Sequence, residues 1–156
     1  MTRVITLVLS VAIGLVFLSR SCAITRPGGP VVFTNARIVS GNGSDRLTRF
    51  VVIDQGRIAA VGFAADESPT LAGARTVDAN GLYVAAATFD KSAPTLIDGI
   101  RHVWVGHVGV GDPGDVVIMR DNPGRVRPGY IPETTAIVAA VVDGVYYTAR
   151  ELTTPR

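Results

Sequence analysis

Few side chains in this sequence could do covalent or metal chemistry. There are two histidines, His102 and His107, one cysteine, Cys22, and one lysine, Lys91, which stands beside Asp90. If 102–108 is a strand, a spacing of five puts the two imidazoles on opposite faces, where they cannot share a metal. They then read as ordinary strand or edge histidines. Asp112, Asp115 and Asp121 flank Pro113-Gly114 and Asn122-Pro123. A calcium loop would space its oxygen ligands more closely and close on an acidic residue, so turn chemistry accounts for them better. Gly109-Val110-Gly111 lacks the third glycine and the following helix of a dinucleotide loop. Ser92 has no His and Asp arranged as a triad, and a nucleophile needs its base within hydrogen-bond reach. Trp104, Tyr130, Tyr146 and Tyr147 could line a groove, but core and rim packing of a small sandwich is the simpler use. No catalytic residue and no metal ligand is assigned on these grounds.

Charge points the same way. The formal net charge is +2. The basic residues are nearly all arginines, scattered at Arg37, Arg46, Arg49, Arg57, Arg75 and Arg101, without aromatics interleaved to stack on bases. That is not the basic stripe of a nucleic-acid binder, and nucleic acid is excluded as the expected partner.

The N-terminus is a separate unit. Arg3 precedes an apolar run over 4–18, interrupted by Thr6, Ser10 and Gly14. Its length suits a signal-peptide core better than a full bilayer span of about 20 residues. Ser21 and Ala23 are small residues two apart, as cleavage after Ala23 would want. Cys22 stands where a lipoprotein would be acylated, although Ser19 and Arg20 depart from the usual lipobox. Cleavage, a retained anchor helix and lipidation at Cys22 stay open, and each exports the rest of the chain to the cell envelope or beyond. Residues 1–24 are thus a signal peptide or membrane anchor, 25–30 (TRPGGP) a linker, 31–150 the folded domain and 151–156 a tail. One cysteine cannot form an internal disulfide.

Strand patterns must position whatever the domain does. Residues 50–62, FVVIDQGRIAAVG, are two apolar runs around Asp54-Gln55-Gly56, the clearest hairpin in the chain. Residues 31–39 alternate and read as one half-buried strand. Asn80-Gly81 is a good two-residue turn between short strands at 75–79 and 82–86. Periodicity fails over 88–100, a connection; 102–108 could be a strand, and 116–119 is a buried one. Residues 136–142 and 145–148 form a second hairpin about Asp143-Gly144. Turn signals every ten residues or so predict an all-β fold, a small β-sandwich or pseudo-barrel.

The order of these motifs resembles the amidohydrolase superfamily of metal-dependent hydrolases. Thr34-Asn35-Ala36-Arg37-Ile38 is similar to that family's opening strand, residues 52–62 to its most recognisable hairpin, and 77–84 to the strand leading into its barrel. Residues 114–123 resemble its return segment and 141–147 its closing hairpin. The resemblance implies a composite β-sandwich built from two segments between which the family inserts a catalytic (β/α)8 barrel. That barrel typically needs about 250 residues, and the space between Asp90 and His102 cannot hold it. The family's Asp-x-His-x-His stretch would fall on 90–94, where Asp90 is present but the two histidine positions carry Ser92 and Pro94. Neither replaces an imidazole on zinc or another divalent metal. The family's bridging lysine sits far along the barrel, so Lys91 does not match it. The resemblance therefore implies a composite domain without its barrel and without a metal cofactor. It would serve as a binding or structural module or, alternatively, as an accessory part of a hydrolase acting on carbon–nitrogen bonds other than peptide bonds. Self-association or a barrel-bearing subunit are the expected partners, with membrane contact through residues 1–24 if these are retained or lipidated.

Overall fold

A computed structural model describes residues 28–39, 45–48, 50–63, 71–104, 106–125 and 136–156. Eleven strands carry almost all the regular structure: β1 (Val31–Thr34), β2 (Arg37–Val39), β3 (Asp45–Leu47), β4 (Phe50–Asp54), β5 (Arg57–Gly62), β6 (Arg75–Asp78), β7 (Tyr83–Phe89), β8 (Ile100–Trp104), β9 (Val116–Met119), β10 (Ile137–Val142) and β11 (Val145–Thr148). A single turn of helix, α1 (Ala149–Leu152), follows. The expected all-β class holds. The apolar segment 1–24 and Cys22 lie outside the described residues, and no described helix is long and apolar enough to cross a membrane.

The strands form two sheets, one ordered β5-β4-β1-β6 and the other β11-β10-β9-β7-β2-β3, with β8 also paired to β7. Period-2 alternation sends each strand's side chains to two faces. Val31, Phe33, Val51 and Ile53 of the smaller sheet meet Val84, Val116, Ile118 and Val141 of the larger one in a shared core. The opposite face of the larger sheet is also buried, by Ala85, Ala87, Val117, Met119, Ala140 and Val142 against Leu96, Ile97 and Leu152. Such double burial explains why β9 and β10 read as nearly unbroken Val/Ile/Ala runs rather than as alternating ones.

Both expected hairpins are present. Gln55-Gly56 joins β4 to β5 with φ of 50° and 73°, and Asp143-Gly144 joins β10 to β11 with 53° and 78°. Positive φ at both central residues matches the right-handed twist of the flanking strands.

Asn80-Gly81 also has two positive φ values, 47° and 79°, yet makes no hairpin. β6 pairs in parallel with β1 in the smaller sheet, whereas β7 pairs in parallel with β2 in the larger one. The expected single strand 31–39 is likewise broken at Asn35, whose φ is 52°, so that β1 and β2 lie in different sheets. The chain thus turns the same corner twice, side by side. Asp78 closes that corner, its Oδ1 accepting from Asn35 Nδ2 at 3.2 Å and from the Asn80 N–H at 2.9 Å. A short local sequence cannot tell such a corner from a hairpin, because the same left-handed residues serve both.

The two halves of the chain interlock. β7 lies between β2 and β9, and the 109–114 loop docks on the β4–β5 turn. The Ile58 N–H donates to the Asp112 carbonyl at 2.9 Å, the Gly111 N–H to the Ile58 carbonyl at 2.8 Å and the Gly114 N–H to the Gly56 carbonyl at 2.9 Å. A Cβ on Gly114 would lie 2.8 Å from the Gly56 carbonyl carbon and 2.9 Å from the Arg57 nitrogen. Only glycine allows this approach.

Candidate functional site

Residues 90–99 join β7 to β8, the place where chemistry was expected to be lost. The two strands pair antiparallel, with Thr88 opposite His102 and then Phe89 opposite Ile100. That shift leaves Arg101 as an extra, bulged residue, and a bulge re-aims the side chain it carries. Arg101 reaches back to Asp90 Oδ2 at 2.5 Å. Asp90 Oδ1 accepts from the Ser92 hydroxyl at 2.6 Å and from the Ser92 N–H at 2.9 Å. Asp90 is therefore the head of an Asx turn. The Ser92 hydroxyl first, and then the Arg101 guanidinium, hold its carboxyl far below the usual carboxylate range. It stays ionised at neutral pH and is no general acid there.

The rest of the link is tied down in the same manner. Lys91 Nζ pairs with Asp143 Oδ1 at 2.5 Å across the mouth of the β10–β11 turn. The Asp143 N–H in turn donates to Asp115 Oδ1 at 2.8 Å. Thr95 and Asp98 cap one another, the hydroxyl donating to Asp98 Oδ2 at 2.6 Å and accepting from the Asp98 N–H at 3.1 Å. The Ile97 N–H donates to the Leu152 carbonyl, the Arg156 N–H to the Pro94 carbonyl, and the Arg156 guanidinium to the Lys91 carbonyl at 2.9 Å.

This arrangement does not fit zinc. Ser92 spends its hydroxyl on Asp90, Pro94 offers no side-chain donor atom, and both Asp90 oxygens are engaged. Among the described residues no three His, Cys, Asp or Glu side chains converge as metal ligands would.

The remaining candidates divide into separate places. β8 ends at Trp104, so the strand expected over 102–108 is shorter and the opposite-face argument for the histidines does not apply. His107 lies beyond the strand, and both imidazoles contact one indole: His102 at a centroid distance of 3.9 Å, His107 edge-on at 5.6 Å. Trp104 itself is 42% exposed and belongs to neither core. Tyr146 and Tyr147 do pack as expected, one against each core, while Tyr130 lies outside the described residues. Asp112 accepts from the Gly109 N–H at 2.8 Å as a turn residue, and Gly109-Val110-Gly111 is part of that loop rather than a phosphate cradle. Asp121 is exposed in the turn after β9.

The sequence marks Asp143 only as a turn residue and Arg101 only as one of the scattered arginines, and it does not mark Arg156. Asp90-x-Ser92 and Thr95-x-x-Asp98 carry recognisable turn and capping spacings. Nothing local marks Arg101, because its role comes from a bulge. No family model matches this chain, and no curated protein matches it.

Proposed function

We propose that this chain is an exported, non-catalytic β-sandwich module akin to the composite domain of amidohydrolases, with residues 90–99 standing where that family inserts its barrel. The observation that carries this reading is the interleaving of the two halves. β7, the last strand before the link, lies between β2 of its own half and β9 of the other, and β8, the first strand after the link, pairs with it. The chain leaves and re-enters the sheet on adjacent strands. Connections of different length could therefore start and end there, provided that they supply the apolar cover that Leu96 and Ile97 give the larger sheet. The residue chemistry of the link agrees with a structural role, since its polar groups are spent on one another and on the C-terminal residues.

The module would then act at the envelope by binding, through self-association or with a subunit that bears a barrel. The decisive experiment is purification from the envelope fraction, with metal analysis and assays on amides and cyclic imides. Sub-stoichiometric zinc and no turnover are expected; stoichiometric zinc with turnover of the purified chain would overturn the reading. Co-purification of a separate barrel-bearing polypeptide would make the chain an accessory subunit of a carbon–nitrogen hydrolase instead.

A further inference from the structure

The sequence contains two Asn-Gly pairs, Asn42-Gly43 and Asn80-Gly81. The first lies outside the described residues, and the second forms the corner between β6 and β7. Asn-Gly is a reactive pair, because glycine has no Cβ to hinder an attack by its own backbone nitrogen. That nitrogen bonds to the asparagine Cγ, and the side-chain amide leaves as ammonia, taking the proton of the glycine N–H. Water then opens the resulting succinimide to aspartate or isoaspartate. The step has two requirements here. The Gly81 nitrogen must give up its proton, and the peptide plane between Asn80 and Gly81 must turn toward Cγ.

The corner withholds both. The Gly81 N–H donates to the Asn35 carbonyl at 2.7 Å, and the Leu82 N–H closes the turn on the Ala79 carbonyl at 2.9 Å. The Asn80 N–H donates to Asp78 Oδ1 at 2.9 Å, the same oxygen that accepts from Asn35 Nδ2 at 3.2 Å. Asn35 thus holds one side of the pair directly and the other through Asp78. Ala79 anchors the turn in the shared core. Asn80 itself is exposed, so water and base reach it whenever these bonds open.

We propose that Asn80 is a modification site, one that deamidates only through local opening of the corner held by Asn35 and Asp78. These two are positioning residues, acting through the Gly81 and Asn80 amides. Isoaspartate does not restore the corner, since it adds a carbon to the main chain of a two-residue turn. Either product places a negative charge two positions from Asp78. The change falls where the chain passes from one sheet to the other, β1 into β2 and β6 into β7. This inference stands apart from the functional reading above and does not need it.

The test follows aspartate and isoaspartate at position 80 by peptide mapping and mass spectrometry, at one pH and temperature. The full chain is compared folded and in urea above its unfolding transition. Deamidation in the folded chain is expected to be at least about tenfold slower, as for any reaction that waits on local opening; equal rates would overturn the proposal. Asp78→Ala removes the acceptor for both N–H donors, and the milder Asn35→Gly keeps the carbonyl and tolerates the positive φ while losing Nδ2. Both should speed deamidation at 80 and hydrogen exchange at the Gly81 amide, the first more than the second. Ile53→Val weakens the core away from the corner and should leave both rates unchanged. Unchanged rates in the folded corner variants would overturn the role of Asn35 and Asp78, and an equal acceleration in Ile53→Val would overturn local opening. Should both corner variants unfold, the folded-against-urea comparison and Ile53→Val decide alone.

Discussion

The β4–β5 hairpin and the β7–β8 ribbon are both antiparallel pairs with one register shift, yet they are closed by different means. The first is closed by two residues whose backbone conformation is written in their types, Gln55-Gly56. The second is closed by residues 90–99, held by partners 52 to 65 positions away: Asp143 on Lys91, Leu152 on Ile97 and Arg156 on Lys91 and Pro94. Local closure is set by the turn residues themselves, although the 109–114 loop then docks on that turn. Closure by distant contacts fixes a segment whose own sequence has no regular pattern. The link, unlike the hairpin, owes its order to segments far along the chain.

The difference can be broken experimentally, and the hairpin should give the largest effect. Ile53 is buried in the shared core opposite Ile58, so Ile53→Ala should cost about 3.5 kcal/mol in urea unfolding. A loss under 1 kcal/mol would mean that this hairpin does not anchor the sandwich. Gly114→Ala attacks the joint between hairpin and C-terminal half. Its Cβ meets backbone atoms that cannot rotate away, and a loss of about 3 kcal/mol is expected from overpacking. Leu96→Ala probes the link itself. Leu96 is 4% exposed in the second core, so its truncation should cost about 2 kcal/mol; near-neutrality would show the link to be a mere spacer.

Two smaller effects test the polar ties. Asp90 has its folded pKa depressed by the Ser92 hydroxyl and Arg101, so its contribution is complete above the unfolded carboxylate value of about 3.9 and is lost as pH falls below it. Asp78 and Glu151, lowered chiefly by backbone N–H bonds from Asn80 and Thr148, act with the same sign. Asp90→Asn should therefore lower stability at neutral pH and flatten, without abolishing, the decline of the urea midpoint between pH 5 and pH 3, windows set by that reference value of about 4. Parallel pH profiles for the two proteins would count against a depressed Asp90 carboxyl. Lys91→Ala removes an exposed ion pair with Asp143 and should cost about 0.5 kcal/mol, falling with added salt.

Much of this was legible in the sequence, and the failures share a cause. The two glycine-bearing hairpins and the buried run at 116–119 follow from residue type and period, which act within a few positions. Asn35 and Asn80-Gly81 were read as strand interior and hairpin turn, but they are sheet-switching corners. A left-handed residue states that the chain bends and not which sheet it bends into. A strand over 102–108 would carry both His102 and His107, whereas β8 stops at Trp104 and both rings gather on its indole. Where a strand ends depends on its neighbour: β8 pairs with β7 only from Ala86 to Phe89, and the Gly106 N–H then turns to the Val39 carbonyl.

The sequence by itself determined the all-β class and the hairpins. Those are properties of single side chains and short periods. Only the tertiary structure decided that β7 lies between the two halves, that Arg101 is turned onto Asp90, and that Leu152 packs into the core on the outer side of the larger sheet. Each of these depends on pairing register between distant segments, and register is set by the burial of two faces at once, which no local pattern contains.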